Sequence, residues 1–184
     1  LQPLMVFYTG KPRQLISEFK GKHLNIGPDG SGTNNLALAI LKANGIEPGK
    51  ETRLDQTDLE DPGNDLLNGR IDAVFLMGES TDSAVTRKLM RDPRVRLFNF
   101  VQADGYVRRI KTLNKLWLPR GAMDLGNNIP AEDIELVGPA VELVARETLH
   151  PALSDLLLET AREVHGSAGM YRKRGQFPAQ SEGE

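Results

Sequence analysis

Residues 24–45, LNIGPDGSGTNNLALAILKANG, combine three signals that leave few folds open. A short apolar run, Leu24 and Ile26, leads into a turn with glycines at 27, 30 and 32. Ser31 and Thr33 stand where helix N-caps stand, and Leu36, Ala37, Ile40 and Leu41 follow at the spacing of one helical face. Gly45 supplies the stop, because glycine adopts the left-handed conformation at little cost. The stretch predicts strand, glycine turn and helix. Such a turn aims unpaired backbone N–H groups and the positive end of the helix dipole at one point, a ready site for an anion.

The flanking sequence repeats the alternation of strand and helix. Residues 3–8, PLMVFY, read as a strand, 9–14 as a turn, and 16–22 as a short helical segment. A short strand is expected around Thr52–Leu54, and a helix over Asp58–Asn68, opened near Asp61-Pro62 and closed by Gly69. Residues 70–78, RIDAVFLMG, form a strand candidate whose apolar run Ala73–Met77 predicts burial on both faces, as in a parallel sheet. Ser80–Arg91 reads as a helix and 94–101 as a strand. Tyr106, Val107, Ile110 and Leu113 fall on one face of a helix over Ala103–Leu113. Residues 116–133 read as a loop punctuated by Pro119, Gly121, Gly126 and Pro130. Residues 134–146 read as a strand interrupted at Gly138-Pro139, a dipeptide that marks an edge, a bulge or a crossing. Pro151–His165 is a helix with an apolar face of Leu153, Leu156, Leu157, Ala161 and Val164, and 166–184 form an ill-ordered tail. The pattern predicts an α/β fold with a mainly parallel sheet.

Several chemistries are excluded or unsupported. With no cysteine there are no disulfides, thiolate metal sites or thiol nucleophiles. His23, His150 and His165 stand in no metal-ligand spacing, and His150 before Pro151 reads as a helix-entry residue. The turn lacks the Gly-Lys-Ser/Thr ending of a P-loop, and its Gly-x-x-Gly-x-Gly order reverses the dinucleotide fingerprint. No Gly-x-Ser-x-Gly elbow or convergent acid, base and nucleophile is visible. The reading is therefore non-enzymatic, with no metal and no cofactor. A net charge of -2 and a pI near 6.0 give no electrostatic reason to expect nucleic acid. No apolar run approaches the ~18 residues of a membrane span.

A second feature raises the first turn above a helix cap. The strand 70–78 ends in Gly78, followed by Glu79, Ser80 and Thr81. In parallel sheets the ligand crevice lies beyond the carboxyl ends of the strands, so both glycine turns are expected to face one crevice. A carboxylate at Glu79 would repel an anion unless it meets an ammonium, and an amino-acid-like ligand satisfies both turns.

The segment IGPDGSGTNNLALAILKANGI resembles the second-lobe opening of TAXI-type solute-binding proteins of tripartite ATP-independent periplasmic (TRAP) transporters. The likeness continues through NGRIDAVFLMGES and is closest in LPRGAMDLGNNIPAEDIELVGPAVELVARETLHPALSDLLLETAREVHG, covering about residues 3–178. It implies a type II periplasmic-binding-protein lobe with crossover strands and a C-terminal helix. Residues 1–12 would be the first crossover strand and 13–125 the second lobe. Residues 126–165 would be the return crossover and C-terminal helix of the first lobe, and 166–184 the tail. The resemblance implies ligand contacts from Gly30, Ser31, Gly32 and Thr33, with Gly78, Glu79 and Ser80 on the facing loop. It implies a small carboxylate or amino-acid ligand, membrane transporter subunits as partners, and a periplasmic or extracytoplasmic location, with any anchor in segments outside this chain. Receptors of this kind run to about two domains, so the chain is expected to be a fragment or a short relative, and self-association through exposed crossover strands is expected. The alternative is a cytoplasmic effector-binding domain of a transcriptional regulator on the same fold.

Overall fold

The computed structural model describes residues 1–49, 51–57, 60–77, 84–167, 171 and 178. By its internal contacts the chain divides into one unit of Gln2–Pro139 and another of Leu1 with Ala140–Glu184.

The larger unit is a mixed α/β structure. Its sheet contains β1 (Leu4–Thr9), β2 (His23–Asn25), β3 (Arg53–Asp55), β4 (Ala73–Met77), β5 (Val95–Leu97), β6 (Leu113–Leu118) and β7 (Ile134–Pro139). The order is β3-β2-β4-β1-β7-β6, with β5 also paired to β1. A 3-10 turn, Ile16–Phe19, and helices α1 (Gly32–Ala43), α2 (Pro62–Leu67), α3 (Ala84–Arg91) and α4 (Ala103–Arg109) connect the strands.

The sheet is mixed, which corrects the expectation of a mainly parallel one. β2 runs parallel to β3 and β4, with Leu24 opposite Leu54 and Ala73. β1 runs antiparallel to β4, β5 and β7, and β6 antiparallel to β7. Burial on both faces marks a central strand but carries no direction, and β4 has one neighbour of each sense. β1 and β7, the strands expected to be exposed crossovers, are also not exposed edges. β1 has partners on both sides and β7 lies between β1 and β6, so β3 and β6 end the strand path, and β5 pairs with β1 alone.

Local chemistry explains the short elements. The Glu18 carboxylate accepts the Leu15 and Gln14 N–H groups at 2.7 Å, closing the 3-10 turn, and these bonds hold its pKa below the ordinary carboxylate value. Helix α1 ends in a Schellman arrangement. The Gly45 N–H donates to Lys42 O and the Ile46 N–H to Leu41 O, both at 3.0 Å, while Gly45 takes φ +71° and Ile46 is buried. Asp61 caps α2 by accepting the Asn64 N–H at 2.9 Å, ahead of Pro62 at the helix start. Asp58 and Leu59, the first residues of the expected span Asp58–Asn68, lie outside the described residues, as do residues 80–83 of the expected helix before Arg91.

Three other expectations are corrected. The helix after Ala103 ends at Arg109, and Leu113 begins β6. The 3.6-residue spacing ran across a boundary because Leu113 is buried as a strand residue. The start of the expected loop is β6, whose Leu116 and Leu118 are buried while Trp117 between them is exposed. The strand from Ile134 stops at Pro139, and residues 140–148 are exposed and irregular. Proline has no N–H to continue the ladder.

Beside β1 the core is aromatic. Tyr8, Phe19, Phe98, Phe100 and Tyr106 form a chain of edge-to-face contacts with centroids 5.0–6.5 Å apart. Tyr106 anchors it by accepting the Asn44 side-chain N–H at 2.7 Å, and burial raises the pKa of its hydroxyl. In the smaller unit, α5 (Pro151–His165) is capped by His150, whose Nδ1 accepts the Ala152 N–H at 3.2 Å. Leu153, Leu156, Leu157 and Val164 on its apolar face are exposed. Most of the expected tail lies outside the described residues.

Candidate functional site

β2, β3 and β4 are parallel neighbours, so their carboxyl ends emerge on one side of the sheet. The chain leaves β2 at Asn25, forms the turn 26–31 and enters α1. Ser31 is the N-cap, with an extended backbone and an Oγ that accepts the Asn34 N–H at 3.1 Å. Thr33 is the second residue of the helix and is not a cap. Among the described residues, the Gly30, Gly32 and Thr33 N–H groups and the Thr33 hydroxyl have no hydrogen-bond partner. No acidic residue occupies the first turn of α1. Apart from the Asn34 N–H that Ser31 accepts, the positive end of the helix is therefore neither satisfied nor neutralised by its own side chains.

Close packing shapes this end. Gly27 has φ +79°, and a Cβ there would lie 3.3 Å from Thr33 Cβ, so the turn folds tightly onto the helix start. A Cβ on Gly32 would meet Met77 Cε at 3.1 Å, which sets the end of β4 against the start of α1. Gly78, Glu79 and Ser80, expected to face the turn, lie outside the described residues.

Sequence reasoning missed Asn25 and Asn34. They are buried to 2% and 1% exposure, and both bond to Gly27. The Gly27 N–H donates to Asn25 Oδ1 at 3.1 Å, while Gly27 O accepts the Asn34 Nδ2–H at 3.2 Å. Asn25 Nδ2 donates onward to Thr57 O at 3.0 Å. Asn34 Oδ1 is buried without a partner. The available signal was an asparagine beside each glycine-turn boundary, where a purely structural strand or helix face would carry an apolar residue.

Elsewhere, a cleft of about 700 Å³ runs beside Met90, Arg91 and Asn127–Ala131. Arg91 there already pairs with Asp124 at 3.1 Å, and none of the expected site residues lines it. Among the described residues, no cluster of His, Asp and Glu is arranged to hold a metal ion, and no helix is long and apolar enough to cross a membrane.

A family model described as the NMT1-like family matches residues 5–156, most of the chain. The chain belongs to the NMT1-like family. This is a broader assignment than the TAXI-type resemblance. A comparison with curated proteins returns no match. Among solved structures, this NMT1-like chain is similar in part to an ancestral arginine-binding protein bound to arginine. That likeness has 15% identity and a TM-score of 0.38, over 53% of this chain and 40% of the other. The substrate-binding protein of an amino acid ABC transporter is 16% identical at a TM-score of 0.41, over 86% of this chain and 51% of the other. The periplasmic aliphatic sulphonate binding protein from Escherichia coli is 16% identical at a TM-score of 0.40, over 59% and 40%. The chain thus spans about half the length, or less, of these matched structures.

Proposed function

We propose that this chain is a lobe of a non-enzymatic, extracytoplasmic solute-binding receptor that captures a small carboxylate or amino-acid-like ligand for a membrane transporter. The observation that carries the reading is the start of α1. Unpartnered N–H groups of Gly30, Gly32 and Thr33 and the free Thr33 hydroxyl sit at the carboxyl ends of parallel strands, with no acidic side chain in the first turn. A carboxylate placed there meets several donors and the helix dipole together. Gly32 allows close approach and Ser31 adds a hydroxyl; Gly78, Glu79 and Ser80 complete the assignment as the sequence reading has them. Membership of the NMT1-like family supports a receptor reading. Within it, the TAXI-type branch, with β1 and β7 as the crossover strands between two lobes, is our specific assignment.

Isothermal titration calorimetry against L-arginine, L-glutamine, an aliphatic sulphonate and C4 dicarboxylates tests the proposal. One of these classes binds, and a Ser31→Ala, Thr33→Ala double variant weakens it by about 1–3 kcal/mol, the worth of hydrogen bonds to a charged group. Unchanged affinity in the double variant removes these residues from the site.

A further inference from the structure

Among the described residues only four polar side chains are buried, Asn25, Asn34, Thr52 and Thr86. Two of these four serve a single residue. Asn25 holds the Gly27 N–H at 3.1 Å and Asn34 holds the Gly27 carbonyl at 3.2 Å, from opposite ends of the residue. Helix capping does not require this. Ser31 Oγ already satisfies the Asn34 backbone N–H, and an apolar side chain at 34 would continue the buried face of Leu36, Ala37 and Ile40. The arrangement even leaves Asn34 Oδ1 buried and unpaired, a configuration that carries a desolvation penalty. The pair satisfies the buried Gly27 N–H and C=O, yet it leaves one side-chain oxygen unpaired.

A glycine at φ +79° explains why a clamp is useful. Glycine has the widest choice of backbone conformations, so an unrestrained Gly27 would let the turn rotate and scatter the N–H groups that follow. Side chains on a helix lean toward its N-terminus, which brings Asn34 back over the turn. Asn25 reaches the same residue from the end of β2 and is itself tied to Thr57 O at 3.0 Å, so the clamp is braced by the segment after β3. We infer that Asn25 and Asn34 are positioning residues that lock Gly27 through the peptides on both of its sides and thereby keep the Gly32 and Thr33 N–H groups converged on one anion. This inference rests on the proposed anion site at the start of α1 and assigns its rigidity to two side chains that do not touch the anion.

The test uses inorganic sulfate as the probe, followed through the backbone 15N–1H resonances of Gly30, Gly32 and Thr33. In the parent chain sulfate shifts these resonances saturably. In Asn34→Leu and Asn34→Ala, which remove the donor to Gly27 O without adding charge, apparent sulfate affinity falls at least tenfold. Thr52→Val provides the control. It removes a buried hydroxyl that accepts the Gly21 N–H at 3.0 Å, far from the turn, so it lowers thermal stability and leaves the sulfate response within twofold. A folded Asn34 variant with parental affinity, or a Thr52→Val loss as large as that of Asn34→Leu, refutes the positioning role. If neither Asn34 variant folds, the parent's own side-chain amides decide. Slow solvent exchange of the Asn25 and Asn34 NH2 groups that slows further with sulfate supports the clamp, and rapid exchange overturns it. A parent chain that does not respond to sulfate defeats the anion site itself, and the positioning role falls with it. A responsive parent whose response survives Asn34→Leu defeats the positioning role alone.

Discussion

Gly138→Ala is the sharpest test of how β7 meets the segment that leads into β1. Gly138 lies in β7 where the start of the chain crosses it, and the Gln2 N–H donates to Pro139 O at 3.0 Å. A Cβ at 138 would fall 2.0 Å from Gln2 O, 2.7 Å from Gln2 C and 2.9 Å from Leu116 Cδ1. Leucine can change rotamer, but the Gln2 carbonyl is backbone. Ordinary contact begins at 3.4 Å, so the two backbones must separate by about 1.4 Å. That opens the Gln2–Pro139 bond and the adjoining Leu4–Val137 pairing. Each lost hydrogen bond costs roughly 0.5–1.5 kcal/mol, and disturbed packing of buried Leu4 and Val137 adds to it, giving about 2–4 kcal/mol in total. For a chain of this length each kcal/mol moves the midpoint by about 2–4 °C, so thermal unfolding followed by circular dichroism should fall by roughly 5–15 °C. Urea titration should show a lower midpoint with an unchanged slope. A Tm within 1 °C of the parent would refute the close crossing.

Two further outcomes follow from local chemistry. Hydrogen bonds from the Arg94 side chain and backbone hold Asp92 at a pKa of about 2, below its ordinary 3.8. Because the folded value is depressed, its stabilisation is present above the ordinary value and is lost as pH falls through the folded one. Thermal melts of Asp92→Asn should lie below the parent at pH 7, the gap closing between pH 4 and 2, and a pH-independent gap would contradict the assignment. Gly45→Ala at φ +71° should cost about 1–2 kcal/mol in chemical denaturation through the left-handed backbone alone, since open space surrounds the Cβ position. An unchanged midpoint would show that α1 does not depend on its Schellman stop.

Much of the fold was legible because it is written locally. The turn from Leu24 to Gly45 contains its own cap, its own helical stripe and its own stop, and α5 matches its expected span from Pro151 to His165. Direction was not legible, because the burial of Ala73–Phe75 is the same whether the neighbour runs up or down. β6 was lost for a related reason. It is an edge strand with exposed Asn114, Lys115 and Trp117, so its pattern is weak, and the prolines and glycines that follow it read as one continuous loop. At the candidate site, Ser31, Gly32 and Thr33 stand out because cap chemistry is a sequence signal. Asn25 and Asn34 do not, because their role exists only once β2 and α1 enclose Gly27 from both sides.

The place of β1 in the sheet has a kinetic consequence. It precedes β4, β5 and β7 in the chain and pairs with all three, the contact from Leu4 to Val137 spanning nearly the whole larger unit. Closing loops of that length before any contact rewards them slows folding. The neighbourhood of β2, β3 and β4 can assemble from nearby sequence while β1 waits. During synthesis this strand, buried from Leu4 to Tyr8, therefore leaves the ribosome ahead of every partner, and its safekeeping until residue 137 arrives falls to whatever shields nascent chains.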